Sequence, residues 1–419
     1  MASPAMTLTR RLVGFSTLPF LASVLPLLAL PLVSRAASTD DWAAMNIGLG
    51  VGAFAAAVGL VGWNILGTPL VAMAGSPAAQ RDLYGRSFFI RIVAVAIASA
   101  LSALVAGLIS PSASWPTAAA FAIASALNGI GLSWYAVGVS SPRIALLYEV
   151  VPRALATALS IAVVLLTNQV LWYGLLLCAS VVVGTLAFHL AALHRILPHW
   201  PGWSTLRGDV ADMRAAWGVE SINSLYQNAP VPITGIVASS TAAAAFSSSD
   251  KIFRYGTLAV SAAGNALQGW VLETRGPSRR RRNLATFVIM GAVAAIGWVV
   301  LAVLGPWLSG WMFGADKQGD PAAFHFFGIA FVAISLSTPL IRNILIPARR
   351  DRTVFVITLV AAIVGIGAMV LAGASFGIAG VAAGFAASEV IMFVSCLVLT
   401  VRVGLDHHEV PRATDAEEG

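Results

Sequence analysis

The apolar positions of this chain come in continuous runs of about 20 residues, the length that crosses a bilayer core as a helix. They fall at 12–33, 43–66, 88–110, 117–138, 147–167 and 170–193, and again at 215–238, 242–272, 285–311, 322–346, 353–373 and 377–401. Between the two sets lies a polar, basic stretch from His194 to Arg214, broken by Pro198 and Pro201. Membrane barrels need short alternating segments, which are not seen here. The pattern predicts an all-α polytopic membrane protein of twelve transmembrane helices in two six-helix bundles. Residues 1–193 would form the N-terminal bundle, 194–214 a cytoplasmic connector, 215–405 the C-terminal bundle and 406–419 a disordered cytoplasmic tail. The run Leu12 to Val33 follows Arg10 and Arg11 and precedes Ser34-Arg35-Ala36-Ala37, as a signal peptide would, but is longer than a usual signal core. It is read as the first span.

Composition agrees. The chain is 58% hydrophobic and 10% charged, against about 25% charged for a soluble domain. A formal charge of +7 would suit nucleic acid, but the basic residues sit in short loops between spans. With the N-terminus in the cytoplasm, the inner segments carry Arg10, Arg11, Arg81, Arg86, Arg143, Arg195, Arg207, Arg214, Arg275, Arg279 to Arg282, Arg349, Arg350, Arg352, Arg402 and Arg412. The outer ones hold only Arg35 and Lys317, beside Asp40, Asp41, Asp316 and Asp320. This is the positive-inside pattern of a bacterial inner-membrane protein with both termini cytoplasmic, and one span more or fewer in the middle would destroy it. The run Arg279 to Arg282 reads as an anchor on anionic headgroups.

Ionisable residues inside spans are costly and face a cavity or a partner. In the eighth span Asp250, Arg254, Ser261, Asn265 and Gln268 recur on one helical face, with Lys251 beside it. Asp250 and Arg254 stand four apart and can pair. In the seventh, Glu220, Asn223, Gln227 and Asn228 share a side before Pro230 and Pro232 interrupt or bend the helix. These two faces predict a wet central cavity, with a structural network between helices as the alternative. The second span carries Asn46, Asn64 and five glycines, Gly48, Gly50, Gly52, Gly59 and Gly62, which suit close helix contact. Glu149 and Arg153, four apart at the start of span five, form a candidate gate pair, unless they snorkel to the interface. Arg342 reads as an anchor at an inner end. Glu389 lies deeper, where a titrating carboxylate could couple transport to H+ or Na+, as Glu220 and Glu149 could also.

No Walker or GxSxG motif is present. The six histidines show no metal-ligand spacing, and Cys178 and Cys396 read as packing residues. Catalytic residues, a metal and cofactors are therefore not expected. The stretches GWNILGTPLVAMA from Gly62, GLSWYAVGVSSPRIALLYEVVPR from Gly131 and FSSSDKIFRYGTLAVSAAGNALQGWV from Phe246 resemble the polysaccharide flippases of the multidrug/oligosaccharidyl-lipid/polysaccharide exporter superfamily. That resemblance implies two bundles in a V shape around a cationic cavity, moving undecaprenyl-pyrophosphate-linked oligosaccharides outward by alternating access. It implies that Arg254 and Lys251 attract the pyrophosphate, with Arg153 and Arg91 as further candidates, and that Asn223, Gln227, Asn265 and Gln268 meet sugar hydroxyls. A polysaccharide polymerase and glycosyltransferases would be partners alongside membrane lipids. Pro69 stands where many relatives carry a basic residue, and the extra span pair of peptidoglycan-precursor flippases is absent. A cation-coupled multidrug exporter of the same superfamily, a non-transport scaffold and a membrane enzyme acting on lipid-linked sugars remain as alternatives.

Overall fold

A computed structural model describes residues 29–192, 200–274 and 276–403. Most of the first predicted span, part of the connector, Arg275 and the predicted tail lie outside the described residues. Among those described, every regular element is helical. Eight stretches are long and apolar enough to cross a membrane, from Thr39–Met73 to Asp351–Arg402. The last holds two predicted spans end to end: its helix, Asp351–Val403, is divided at Gly377 (φ 59°, ψ −141°), a conformation open to glycine alone. The seventh and eighth predicted spans fold as long helices as well, but their charged and polar positions leave them out of the apolar set.

Packing separates two units, Met1–Ser247 with Gly310–Lys317, and Ser248–Ser309 with Gln318–Gly419. In the first, α1 (Thr39–Leu60) starts where the Ser38 hydroxyl accepts the Asp41 N–H at 3.0 Å. It ends at left-handed Val61 and Gly62, after which α2 (Trp63–Met73) continues the span at a bend. Helix α3 (Pro77–Leu108) opens on Ser76, which accepts the Ala79 N–H, and on Pro77 in its first turn. Helix α4 (Trp115–Ala126) lies very close to α1. A Cβ on Gly48 would fall 2.3 Å from the Ala118 carbonyl oxygen, and one on Gly52 2.3 Å from that of Ala122. The glycines of span two thus let two backbones touch.

The fourth span then breaks, passing through a 3₁₀ turn (Leu127–Ile130) and Gly131 into α5 (Ser133–Gly138). Span five begins with a short turn, Pro142–Ala145, and a π turn, Leu146–Val150, and straightens into α6 (Val151–Thr167). Helix α7 (Leu171–Ala187) follows. Helices α8 (Trp203–Asn228) and α9 (Pro230–Val237) are joined through a helical Ala229, so the prolines bend this span without ending it.

The contacts assign Trp203 to Ser247 to the first unit. Span seven meets span two there. Trp217 Nε1 donates to the Val58 carbonyl at 2.9 Å and Ser224 Oγ to that of Ala53 at 3.2 Å. A side chain at Gly62 would meet the Met213 and Trp217 backbone at 2.9 Å. Span seven is thereby tied to span two by side-chain bonds to its backbone and by close backbone approach at Gly62.

In the second unit run α10 (Ser240–Leu272), whose first turns belong to the first unit, α11 (Gly276–Val299), α12 (Gly305–Phe313), whose last turn from Gly310 belongs to the first unit, α13 (Pro321–Pro339) and α14 (Asp351–Val403). Asp320 caps α13 by accepting the Ala323 N–H at 2.9 Å. Aromatic rings against glycines set the packing, with Phe331 on Gly256 and Gly297, and Trp298 on Gly328. Phe253 stacks on Phe327, ring centres 4.9 Å apart.

Candidate functional site

The first unit contains a cavity of about 510 Å³ between spans two, four, five and six. Asn64 comes from α2, Asn128, Ser133 and Trp134 from the broken fourth span, Tyr148, Glu149 and Arg153 from the π-turn region of span five, and Ser180 from α7. The break and the π turn turn these side chains inward from helices whose lipid faces are apolar. A mostly apolar pocket of this size with a few convergent polar groups suits a drug-sized ligand.

Glu149 and Arg153 do not pair as their spacing predicted. Arg153 turns to the Asn128 side-chain oxygen. Glu149 accepts the Leu132 N–H, the Ser133 N–H at 3.1 Å and the Ser133 hydroxyl. The freed backbone at the break outcompetes the guanidinium, because N–H groups without water need an acceptor. Arg91 lies wholly buried behind the cavity wall. It donates to the carbonyls of Gly129 (3.2 Å) and Gly131 (2.8 Å) and to Ser87 Oγ (3.3 Å), and its guanidinium stands 5.2 Å from the Trp134 ring.

Of the span-seven candidates, Glu220 is half-buried, and its Oε2 is buried without a hydrogen-bond partner. Asn223 and Gln227 are exposed, and Asn228 folds back on the Ser224 carbonyl at 2.9 Å.

In the second unit Asp250 and Arg254 pair at 2.6 Å along α10, the carboxylate buried and the guanidinium partly open. Lys251 is half-buried beside them. Asn265 is exposed, Gln268 half-buried, and Glu389 buried at 7% exposure. The sequence reading missed Arg342. It was taken for an anchor, yet from the π turn Leu340–Leu345 it bonds the Asn265 side-chain oxygen, adding a third cation to the polar face of α10. Its offset from the regular heptad of α13, created by that π turn, has no signature in the residue pattern. The arginine run behaves less uniformly than an anchor would. Arg280 and Arg281 are exposed, while Arg279 donates to the Asn343 carbonyl at 3.1 Å, and Arg282 bonds the Trp270 carbonyl and lies 4.9 Å over its ring.

Among the described residues no cluster of His, Cys, Asp and Glu could hold a metal ion, and both cysteines are free thiols. No known family profile and no curated protein matches this chain. Solved structures do. An inward-facing multidrug resistance MATE-family transporter of the MOP superfamily aligns over 91% of this chain and 94% of its own, at 13% identity and a TM-score of 0.68. A MOP-superfamily transporter from Pyrococcus furiosus, described as having a binding pocket of reversed polarity, aligns over 95% and 96%, at 13% identity and 0.57. A MATE protein in a bent conformation aligns over 92% and 97%, at 13% identity and 0.51. The chain thus has the all-α, polytopic membrane fold of the MOP-superfamily, MATE-type transporters.

Proposed function

We propose that this protein is a multi-pass membrane transporter that works by alternating access and exports drug-sized amphiphilic compounds, driven by H+ or Na+. The observation that carries the reading is the cavity of about 510 Å³ in the first unit, apolar in most of its wall and furnished with Asn64, Asn128, Glu149 and Arg153. The fold likeness to transporters described as multidrug MATE proteins supports it. An amphiphile can keep its apolar part against Trp134 and Tyr148 while its polar part meets Asn64, Asn128 and Arg153. Glu220 of span seven, half-buried with Oε2 lacking a hydrogen-bond partner, is the candidate coupling carboxylate.

A second reading rests on a different observation. Arg254, Lys251 and Arg342 gather on one polar face of α10 in the second unit, with Asn265 and Gln268 beside them. That face suits a phosphate-bearing headgroup with hydroxyls around it, as in an undecaprenyl-pyrophosphate-linked oligosaccharide flipped for surface polysaccharide synthesis. One experiment separates the readings. Proteoliposomes carrying the protein are loaded in parallel with ethidium under a pH or sodium gradient, and with a fluorescent lipid-linked oligosaccharide whose leaflet exposure is followed by quenching. Gradient-dependent ethidium movement supports the first, and leaflet exchange supports the second. If neither probe moves, both readings fall.

A further inference from the structure

The fourth span is interrupted where it forms the cavity wall. Its α-helix stops at Ala126, a 3₁₀ turn carries the chain to Ile130, and a new helix starts at Ser133. Such a break strips carbonyls on one side and N–H groups on the other of their helical partners. Within a bilayer no water replaces them, so a buried break holds only if side chains do.

Two charged residues from the neighbouring spans supply what is missing, each of the sign its end requires. Arg91 of α3 donates to the Gly129 and Gly131 carbonyls, while Glu149 of span five accepts the Leu132 and Ser133 N–H groups. Gly131 between them makes the approach possible. A Cβ there would lie 3.0 Å from the Glu149 Oε1 and 2.9 Å from the Asn128 carbonyl oxygen. Arg91 also lies against Trp134, whose ring lines the cavity, and Glu149 itself lines it.

We infer that Arg91 and Glu149 are positioning residues that clamp this break from its two sides and thereby hold Asn128, Ser133 and Trp134 in the shape the cavity needs. The inference rests, for its functional half, on the reading of the cavity as the transport site. It gives Arg91 and Glu149 a task other than headgroup binding and ion coupling. Arg91 has no exposed surface, and both carboxylate oxygens of Glu149 are occupied by span four. Arg153, engaged with Asn128, is then the charged group of the cavity left to meet a ligand.

Hydrogen exchange read by mass spectrometry on the full-length protein in nanodiscs tests the clamp without reference to transport. Glu149→Gln should raise exchange of the 131–138 amides by about tenfold, the equivalent of one charge-assisted hydrogen bond, and leave α1 and α7 unchanged. Arg91→Gln should do the same at 127–132, and Arg91→Lys should give an intermediate rise, because an ammonium can still reach one carbonyl. In proteoliposomes the same variants should raise the half-saturating ethidium concentration about fivefold or more with the maximal rate held within about twofold, the split expected when a wall is displaced and the transport cycle is kept. Unchanged exchange at 131–138, or a uniform rise across the whole unit, overturns the clamp. Raised exchange with an unaltered half-saturation overturns its role in the cavity. If wild-type protein moves no ethidium, the transport reading fails, and the exchange measurement still decides the clamp.

Discussion

Asp209 is a carboxylate buried to 8% exposure, and it survives there because Arg86 reaches it through both Nε, at 2.9 Å, and Nη2. The forked guanidinium satisfies both oxygens at once. Removing the carboxylate leaves Arg86 facing a space shaped for an anion, so Asp209→Ala should cost about 2 kcal/mol, the range of hydrogen bonds to charged groups. Thermal unfolding in detergent micelles would read this, with Asp212→Ala, on an exposed position of the same helix, as the unaffected control. A second carboxylate, Asp316, lies in the turn Ala315–Lys317, outside the spans. Desolvation pushes it up, but the Lys317 ammonium at 2.6 Å and the Thr39 hydroxyl at 3.2 Å outweigh that and hold it below its ordinary value of 3.8. A group whose folded-state value is depressed stabilises the fold above its unfolded value, and the contribution is lost as pH falls through the folded one. Lys317, only 2% exposed, is then left buried beside a neutral acid. The melting midpoint of the native protein should therefore drop as pH falls below about 5, and Asp316→Asn should start lower at neutral pH and lose that part of the acid limb. An identical acid limb in the variant would remove Asp316 from the account.

At the scale of elements, glycines decide where helices end, and they do so for two different reasons. Gly377 divides α14 because its backbone lies in a region closed to other residues, even though a Cβ there would meet nothing within 4 Å. Gly367, on the same helix, also has open space around it but ordinary helical geometry. Gly377→Ala should thus destabilise by about 1–3 kcal/mol through strain. Gly367→Ala should stabilise by up to about 1 kcal/mol by removing freedom from the unfolded chain. Opposite shifts in melting midpoint from the same substitution, ten residues apart, would show conformation and not crowding to be the cause. The same distinction explains how much of the fold could be read in advance. The spans themselves are legible, since burial in lipid demands unbroken apolar runs, and so is the Asp250–Arg254 pair, which is local to one helix. The attachment of span seven to span two was not, because Trp217 and Ser224 reach carbonyls more than a hundred residues upstream. Nor was the state of the cavity charges. Glu149 and Arg153 look like partners along the chain, and only the broken backbone of span four, reached across 17 and 25 residues, shows why each turns away from the other.

For the whole molecule the strongest global signal in the chain is its charge asymmetry, and it makes a statement about orientation that side-chain geometry leaves alone. Loops that translocate are selected against lysine and arginine, whose passage opposes the membrane potential and whose retention is favoured by anionic lipid. We propose on that ground that the exposed Arg280 and Arg281 lie on the cytoplasmic side, and Asp40 and Asp316 on the outer one. In a background with Cys178 and Cys396 replaced by Ala, a cysteine at Arg280 should react with a membrane-impermeant maleimide only after the cells are opened. A cysteine at Asp40 should react in intact cells. The two positions lie on separate units, so agreement between them tests the topology of the chain from span two to span eight and not of one hairpin. Labelling of Arg280→Cys from outside would invert the orientation. Labelling of both sites from the same side would require the seven spans between them to become an even number, and would dismantle the twelve-span count itself.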